Sequence, residues 1–188
     1  SGSRSLKYGS TIDNVAEIVF IDGNGNKVSL PKNKEIGKKI IRNIIVDDKK
    51  IPKTSKNSSG YRIDKITSEK NTHKIIIGSE GTLGIILSAK LNIKDKPKKR
   101  ILFIIEYESI FEAAKNSLKI NKTKPSTLEF VDKNTLKQIK FKFSKNAKCL
   151  LFVEYDEKID IIEKNLKLIN SGKIIQKLSR NSDMNKWW

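Results

Sequence analysis

The segment G-S-E-G-T-L-G-I-I, Gly78 to Ile86, carries the most information in this chain. Three glycines in seven residues stand directly before an apolar run of strand character, Ile85 to Ile93. Glycine lets the backbone take φ > 0 or approach a ligand closely. Exposed amides in such a loop can cradle a phosphate or a polarised carbonyl oxygen. A tight turn between two buried elements needs the same residues, so both readings stay open. The spacing is neither G-x-G-x-x-G nor a Walker loop, and it indicates neither a Rossmann site nor a P-loop.

Upstream, Val15 to Asp22 (V-A-E-I-V-F-I-D), the turn Gly23-Asn24-Gly25-Asn26 and Lys27 to Leu30 read as a β-hairpin. Glu35 to Val46 places Ile36, Ile40, Ile41, Ile44 and Ile45 at helical spacing. Asp47 to Gly60 is a polar, Pro52-bearing loop, and short apolar pieces follow at Ile63 to Ile66 and Lys74 to Ile77. Downstream, Lys94-Asp95-Lys96-Pro97-Lys98-Lys99-Arg100 is the best domain boundary.

Beyond it, strands and helices alternate. Strands fall at Ile101 to Tyr107, Thr127 to Val131, Leu150 to Tyr155 and Ile174 to Leu178. Helices fall at Ile110 to Ile120, with Phe111, Ala114 and Leu118 on one face, at Asn134 to Phe141, capped by Asp132, and at Ile159 to Ile169, with Ile162, Leu166 and Ile169 aligned. Ser182 or Asp183 is the expected cap of a last helix. This alternation predicts a ferredoxin-like sheet covered on one face, separate from the sheet that holds Ile85 to Ile93.

The chain has 188 residues and a formal charge of +18. Lysines that neutralise phosphates give non-specific nucleic-acid affinity. However, arginine, which grips phosphate and base edges bidentately, occurs only five times, so 34 of the 39 basic residues are lysine. Those lysines run along the whole chain among many Ile and Asn residues, as an AT-rich coding bias on solvated faces would produce. Nucleic acid is therefore not an expected partner, and no single surface should hold most lysines without interspersed acids. No apolar run approaches the roughly 20 residues that span a bilayer, and no signal peptide opens the chain. The expected location is the cytoplasm, or the periphery of a membrane.

Cys149 is the one cysteine, which excludes an internal disulfide, and its apolar context favours a buried inert thiol. His73 is the one histidine and is expected at a surface or helix end. Glu106 and Glu108 share a strand face and are expected to be solvated, and Asp156-Glu157 are paired acids only in sequence. Trp187-Trp188 are expected to belong to core rather than to stack on a ligand.

As a literal string, Gly78 to Ile86 closely resembles the signature of the FAD-linked oxidases related to vanillyl-alcohol oxidase, the PCMH-type FAD-binding fold. The branch with D-lactate dehydrogenase, glycolate oxidase and D-2-hydroxyglutarate dehydrogenase matches best. Four further segments lie in that family's order. Ser1-Gly2-Ser3-Arg4-Ser5-Leu6-Lys7-Tyr8-Gly9 resembles the tail of A-S-G-x-R-S-x-K-Y-G. Asp13 to Asp22, with Gly23 or Gly25, resembles the strand and "DG" turn after it. Lys56 to Asp64 resembles K-N-x-A-G-Y-D-L, with Arg62 departing from the usual acid, and Asp183 to Trp188 resembles the approach to L-W-x-x-R.

The resemblance implies an α+β chain, with residues 1–96 the second half of an FAD-binding domain and 97–188 a truncated ferredoxin-like cap. It implies an FAD-dependent oxidoreductase, with hydride passing from the carbinol carbon of a small 2-hydroxy acid to flavin N5 to leave a 2-oxo acid. By the same match, Glu80, Gly81, Thr82, Leu83, Gly84, Ile85 and Ile86 contact the cofactor. Ser1 and Gly2 lie near the pyrophosphate or flavin, and Tyr8 and Gly9 shape that wall; Tyr61 reads as core packing and Gly60 as a turn glycine.

The family's P-x-G-G-G-T-x-x loop and its H-x-G-D-G-N-x-H segment, source of metal ligands and the catalytic histidine, are absent. No catalytic or metal-ligating residue is therefore assigned, and no stable FAD binding by these residues alone is expected. In the full-length protein, Gly81→Val or Gly84→Val is expected to abolish bound flavin, with Gly172→Val as a silent control. The alkylglycerone-phosphate synthase type, an FAD-dependent transferase, shares the glycine loop and is the alternative, although R-S-x-K-Y-G favours the dehydrogenase branch. The particular substrate and the electron acceptor stay open.

Overall fold

The computed structural model describes residues 2–44, 50–52, 54, 57, 60–138, 143–157 and 159–188. Two compact units emerge, one of Gly9–Lys94 and one of Asp95–Trp188 together with Gly2–Tyr8.

In the first unit the Asn/Gly turn makes the hairpin that the sequence predicts. Strand β1 (Val15–Ile21) pairs antiparallel with β2 (Lys27–Leu30), and the Asp22 carboxylate accepts the amides of Asn24 and Asn26, both at 2.9 Å. On the other edge of β1 lies β3 (Ile85–Leu91), also antiparallel, giving the order β2-β1-β3. Alternate residues of β1 point into a core of Val15, Ile18, Phe20, Val28, Leu30 and Ile76. Helix α3 (Lys34–Asn43) lays Ile36 and Ile40 on that core, and Asn33 caps it by accepting from the Ile36 amide at 3.0 Å. The helix ends at Asn43, short of the expected run to Val46, because Ile44 takes extended backbone; Ile45 and Val46 lie outside the described residues. Ile63–Lys65 and Glu69–Ile75 form 3₁₀ turns.

In the second unit, strands β4 (Ile101–Tyr107), β5 (Thr127–Asp132), β6 (Cys149–Tyr155) and β7 (Lys173–Leu178) form one antiparallel sheet of order β5-β6-β4-β7. With helices α4 (Ile110–Asn121) after its first strand and α6 (Ile159–Ile169) after its third, this is ferredoxin-like order, separate from the β1 sheet. The apolar runs Ile-Leu-Phe-Ile-Ile and Cys-Leu-Leu-Phe-Val become the two central strands, β4 and β6, each buried at all seven positions. Alternation divides them between two cores. Phe103, Ile105, Tyr107, Leu151 and Val153 meet α4 and α6, while Leu102, Ile104, Leu150 and Phe152 face the other way.

That second face corrects the one-sided expectation. It is covered by Met184, from the short helix α7 (Asn181–Asn185), and by Trp187, whose ring meets Phe152 edge-on at 5.7 Å. The N-cap of α7 is Arg180 rather than Ser182 or Asp183, and Asp183 instead pairs with Arg180 at 3.0 Å. Asp132 caps α5 (Lys133–Leu136) as expected, accepting from Thr135 at 2.9 Å. The expected end of that helix lies outside the described residues.

Helix α4 buries a different face from the one its apolar letters suggest. Ala113, Asn116 and Ile120 face the core, and Phe111, Ala114 and Leu118 face solvent. The cause is polar. The Asn116 amide nitrogen donates to Ser171 Oγ at 2.8 Å, and its oxygen accepts the Ser171 amide at 3.1 Å. A buried, fully bonded asparagine thus occupies a core position that hydrophobic spacing alone assigns to solvent.

Candidate flavin-binding loop

The predicted loop is a surface turn of left-handed backbone. Gly78, Glu80 and Gly81 take φ of +82°, +53° and +81°. Ser79 is buried and closes the turn, since its carbonyl accepts both the Thr82 amide at 3.0 Å and the Thr82 hydroxyl at 2.6 Å. Leu83 pins the loop to the core of the first unit. Glu80, Gly81 and Thr82 stand exposed, and the amides of Glu80 and Gly81 have no hydrogen-bond acceptor among the described residues. A Cβ built on Gly81 meets nothing within 4 Å. Two successive unpaired amides in left-handed backbone over open space fit an anionic oxygen or polarised carbonyl. The loop therefore suits the phosphate side of a dinucleotide such as FAD.

Gly84 has another reason to be glycine. A Cβ there would lie 2.3 Å from the Ile21 carbonyl oxygen, because Gly84 runs into β3 exactly where Ile85 pairs with Ile21. It is required by strand packing, and the loss of flavin expected of Gly84→Val has folding as its cause. The proposed control fails too: a Cβ on Gly172 would sit 2.6 Å from the Tyr107 ring. Gly23, with nothing within 4 Å and no positive φ, is the suitable control.

Ile85 and Ile86 are 70% and 50% exposed, available to a ligand. Gly9 lies in the first unit at φ +78°, where a Cβ would press on Asp13 Cβ at 2.9 Å. Gly2 and Tyr8 fall in the second unit, and Ser1 lies outside the described residues. Tyr8, on helix α1 (Ser5–Tyr8), donates its hydroxyl to Asp156. Beside it Lys7 bonds Asp156 at 2.5 Å and Glu157 at 2.7 Å, so these acids are joined in space as well as sequence. Burial alone would depress the Lys7 ammonium, but those two hydrogen bonds outweigh it and hold it above its ordinary range. Arg4 reaches the fully buried Glu154 at 3.1 Å, and Arg100 reaches it at 3.4 Å. Burial nevertheless pushes the Glu154 carboxyl upward, against the pull of Arg4.

Tyr61 departs from the core position expected of it. Instead of packing in core it is 47% exposed, its hydroxyl 2.6 Å from Thr82 Oγ1. The glycine segment and Tyr61 are distant in sequence, and no local pattern announces that bond. Gly60, before it, is a positive-φ glycine at +64°. Arg62, the departure from the family pattern, is buried and holds Asp64 at 2.7 Å.

The remaining candidates are structural. His73 lies in the last turn of the 3₁₀ segment Glu69–Ile75 but is buried rather than surface-lying, with Nε2 2.9 Å from the Val15 carbonyl, and burial depresses its pKa. Cys149 is fully buried and its thiol is pushed up by burial. Glu106 is buried rather than solvated, accepting the Ser144 amide at 3.0 Å, and it holds a loop beside a shallow acidic pocket that Glu108 and Glu112 also line.

No family model matches the chain. Curated relatives do. The glycolate oxidase subunit GlcD of Bacillus subtilis is 30% identical over 176 residues, covering 90% of this chain and 31% of that protein. The chain is similar to FAD-linked oxidases over most of its own length. Other relatives agree: D-2-hydroxyglutarate dehydrogenase of Haemophilus influenzae is 29% identical over 88% of this chain, and D-lactate dehydrogenase [cytochrome] 1 of Saccharomyces cerevisiae is 26% identical over 74%. The chain spans 31%, 19% and 19% of these three relatives. Among solved structures, an alkyldihydroxyacetonephosphate synthase superposes over the whole chain and 34% of its own (TM-score 0.62, 17% identity). A BBE-like 1 protein of Physcomitrella patens covers 99% of this chain and 33% of its own (TM-score 0.53, 14% identity). At such identities the two structures establish the fold alone.

Proposed function

We propose that this chain forms the second half of an FAD-binding domain and most of the cap of an enzyme that oxidises a small 2-hydroxy acid to the 2-oxo acid. The observation that carries the reading is the exposed Glu80–Gly81 turn with its two unpaired amides, set in the glycine motif that the family uses at its cofactor. Relatives named glycolate oxidase and D-lactate dehydrogenase support a short 2-hydroxy acid as the substrate class. FAD, when bound, supplies the two-electron acceptor. The chain's own residues bind and orient: Glu80 and Gly81 offer amides to an anionic group, Ser79 and Thr82 hold the turn, Tyr61 braces Thr82, and Ile85 and Ile86 offer apolar surface. The acid-binding and proton-accepting groups are not assigned within these residues.

Flavin absorbance per mole of folded gene product tests the loop. Gly81→Val forces a branched side chain onto φ +81° in the open face of the turn, and it should lose bound flavin while the secondary structure persists. Gly23→Val should retain it. Wild-type flavin content in Gly81→Val would remove Glu80 to Ile86 from the site. Turnover of glycolate or D-lactate with an artificial electron acceptor tests the substrate class independently.

A further inference from the structure

The outer surface of α4 and α6 combines two properties that a solvated helix pair does not need. Phe111 is 89% exposed and Leu118 69%, seven residues apart and therefore on one side of α4, opposite the buried Ala113, Asn116 and Ile120. Ile161 and Leu168, exposed by 62% and 79%, repeat that spacing on α6, which packs beside α4 over the same core. Lysines stand among these side chains: Lys115 and Lys119 on α4 with Lys122 at its C-cap, and Lys164 and Lys167 on α6, all exposed. Of the acids there whose side chains are described, Glu163 is held by Lys167 and Lys177, while Glu112 lies in the first turn of α4; Asp160 also belongs to α6. The face is thus apolar at its crest and cationic around it.

We propose that this α4–α6 face docks on an anionic lipid surface. Lysine stems lie along apolar surface while their ammonium groups reach outward, which lets Phe111, Leu118, Ile161 and Leu168 enter the headgroup boundary as the lysines meet anionic headgroups. A second copy of the chain is the poorer occupant, because two-fold contact would set this ring of lysines against its own image. Nucleic acid would take the lysines but leave the aliphatic crest without a partner. Among the described residues no helix is long and apolar enough to cross a membrane, so the contact is interfacial. This inference is independent of the flavin reading.

Flotation with phosphatidylcholine vesicles, with and without phosphatidylserine, tests it. The chain should bind the mixed vesicles and not the pure phosphatidylcholine ones, with binding weakened by salt. The general charge of +18 could give that result alone, so the deciding variant keeps the charge. Phe111→Ser with Leu118→Ser and Leu168→Ser should lower vesicle partition more than about tenfold, since each buried methylene contributes about 0.8 kcal/mol. The same chemistry moved to the first unit, Leu87→Ser with Leu91→Ser and Ile93→Ser, should leave partition unchanged. Phe111→Trp should shift its emission to the blue on adding mixed vesicles, which reads insertion without relying on the triple variant. Equal partition by the triple variant and the wild type overturns the proposal, as does failure of the wild type to bind. A wild-type dimer that the triple variant dissolves would assign the face to a second copy and overturn it too.

Discussion

Strands β3 and β6 are both seven residues long and both apolar, Ile-Ile-Leu-Ser-Ala-Lys-Leu against Cys-Leu-Leu-Phe-Val-Glu-Tyr, yet every residue of β3 is exposed and every residue of β6 buried. The difference lies in neighbours. β6 has β5 and β4 on its two edges, α4 and α6 over one face, and Met184 and Trp187 over the other. Among the described residues β3 has β1 on one edge alone. An apolar run thus reveals that a strand forms, while its burial depends on what the rest of the molecule brings to it.

The largest effect should come where β3 begins. Gly84→Val drives Cβ into the Ile21 carbonyl, and the backbone there cannot yield as a side chain would. The expected outcome exceeds the about 1–3 kcal/mol of ordinary overpacking and removes the cooperative melt of the first unit. A wild-type melt would show that β3 does not hold β1 this closely. Next is Phe152→Ala in β6, which deletes a buried ring contacted edge-on by Trp187; a loss of about 3–5 kcal/mol is expected in denaturant titration.

A third effect depends on pH and belongs to the first unit. His73 is buried with Nε2 on the Val15 carbonyl and Nδ1 without a partner among the described residues, an arrangement that favours the neutral ring. The unfolded chain takes up its proton near pH 6.5, and the folded one only at lower pH. Stability present above about pH 6.5 should therefore fall as the pH drops below it, and His73→Gln should flatten that slope in melts from pH 7.5 to about 5. The smallest effect should be Leu87→Ser in β3, within about 0.5 kcal/mol of wild type, because the side chain is 52% exposed. A loss like that of Phe152→Ala would erase the contrast between the two strands.

Much of the second unit was legible because its signals are local. Alternating apolar runs located four strands and two long helices, and an aspartate marked the α5 cap. The failures come from bonds between distant residues. Asn116 turned α4 by reaching Ser171, and Tyr61 left the core for Thr82. The glycine string located the loop as a motif, but only the structure separates Gly81, open above the turn, from Gly84, locked under β1. The lysines followed composition, and their gathering around exposed Phe111 and Leu118 could not be read while those residues were assigned inward.

The pairing pattern of the second sheet also constrains the order in which it can assemble. β4 pairs with β6 and β7, and β5 pairs with β6 across the segment 133–148, so no strand of this sheet is joined to its partner by a tight hairpin. Until Cys149–Tyr155 has been synthesised, β4 and β5 have nothing to pair with, and Ile101–Ile105 emerges as a bare apolar run. Closing such distant segments is slow relative to local hairpin formation. A nascent chain halted between α4 and β6 should accordingly bind chaperones and resist compaction, and one released after Leu178 should collapse in a single step.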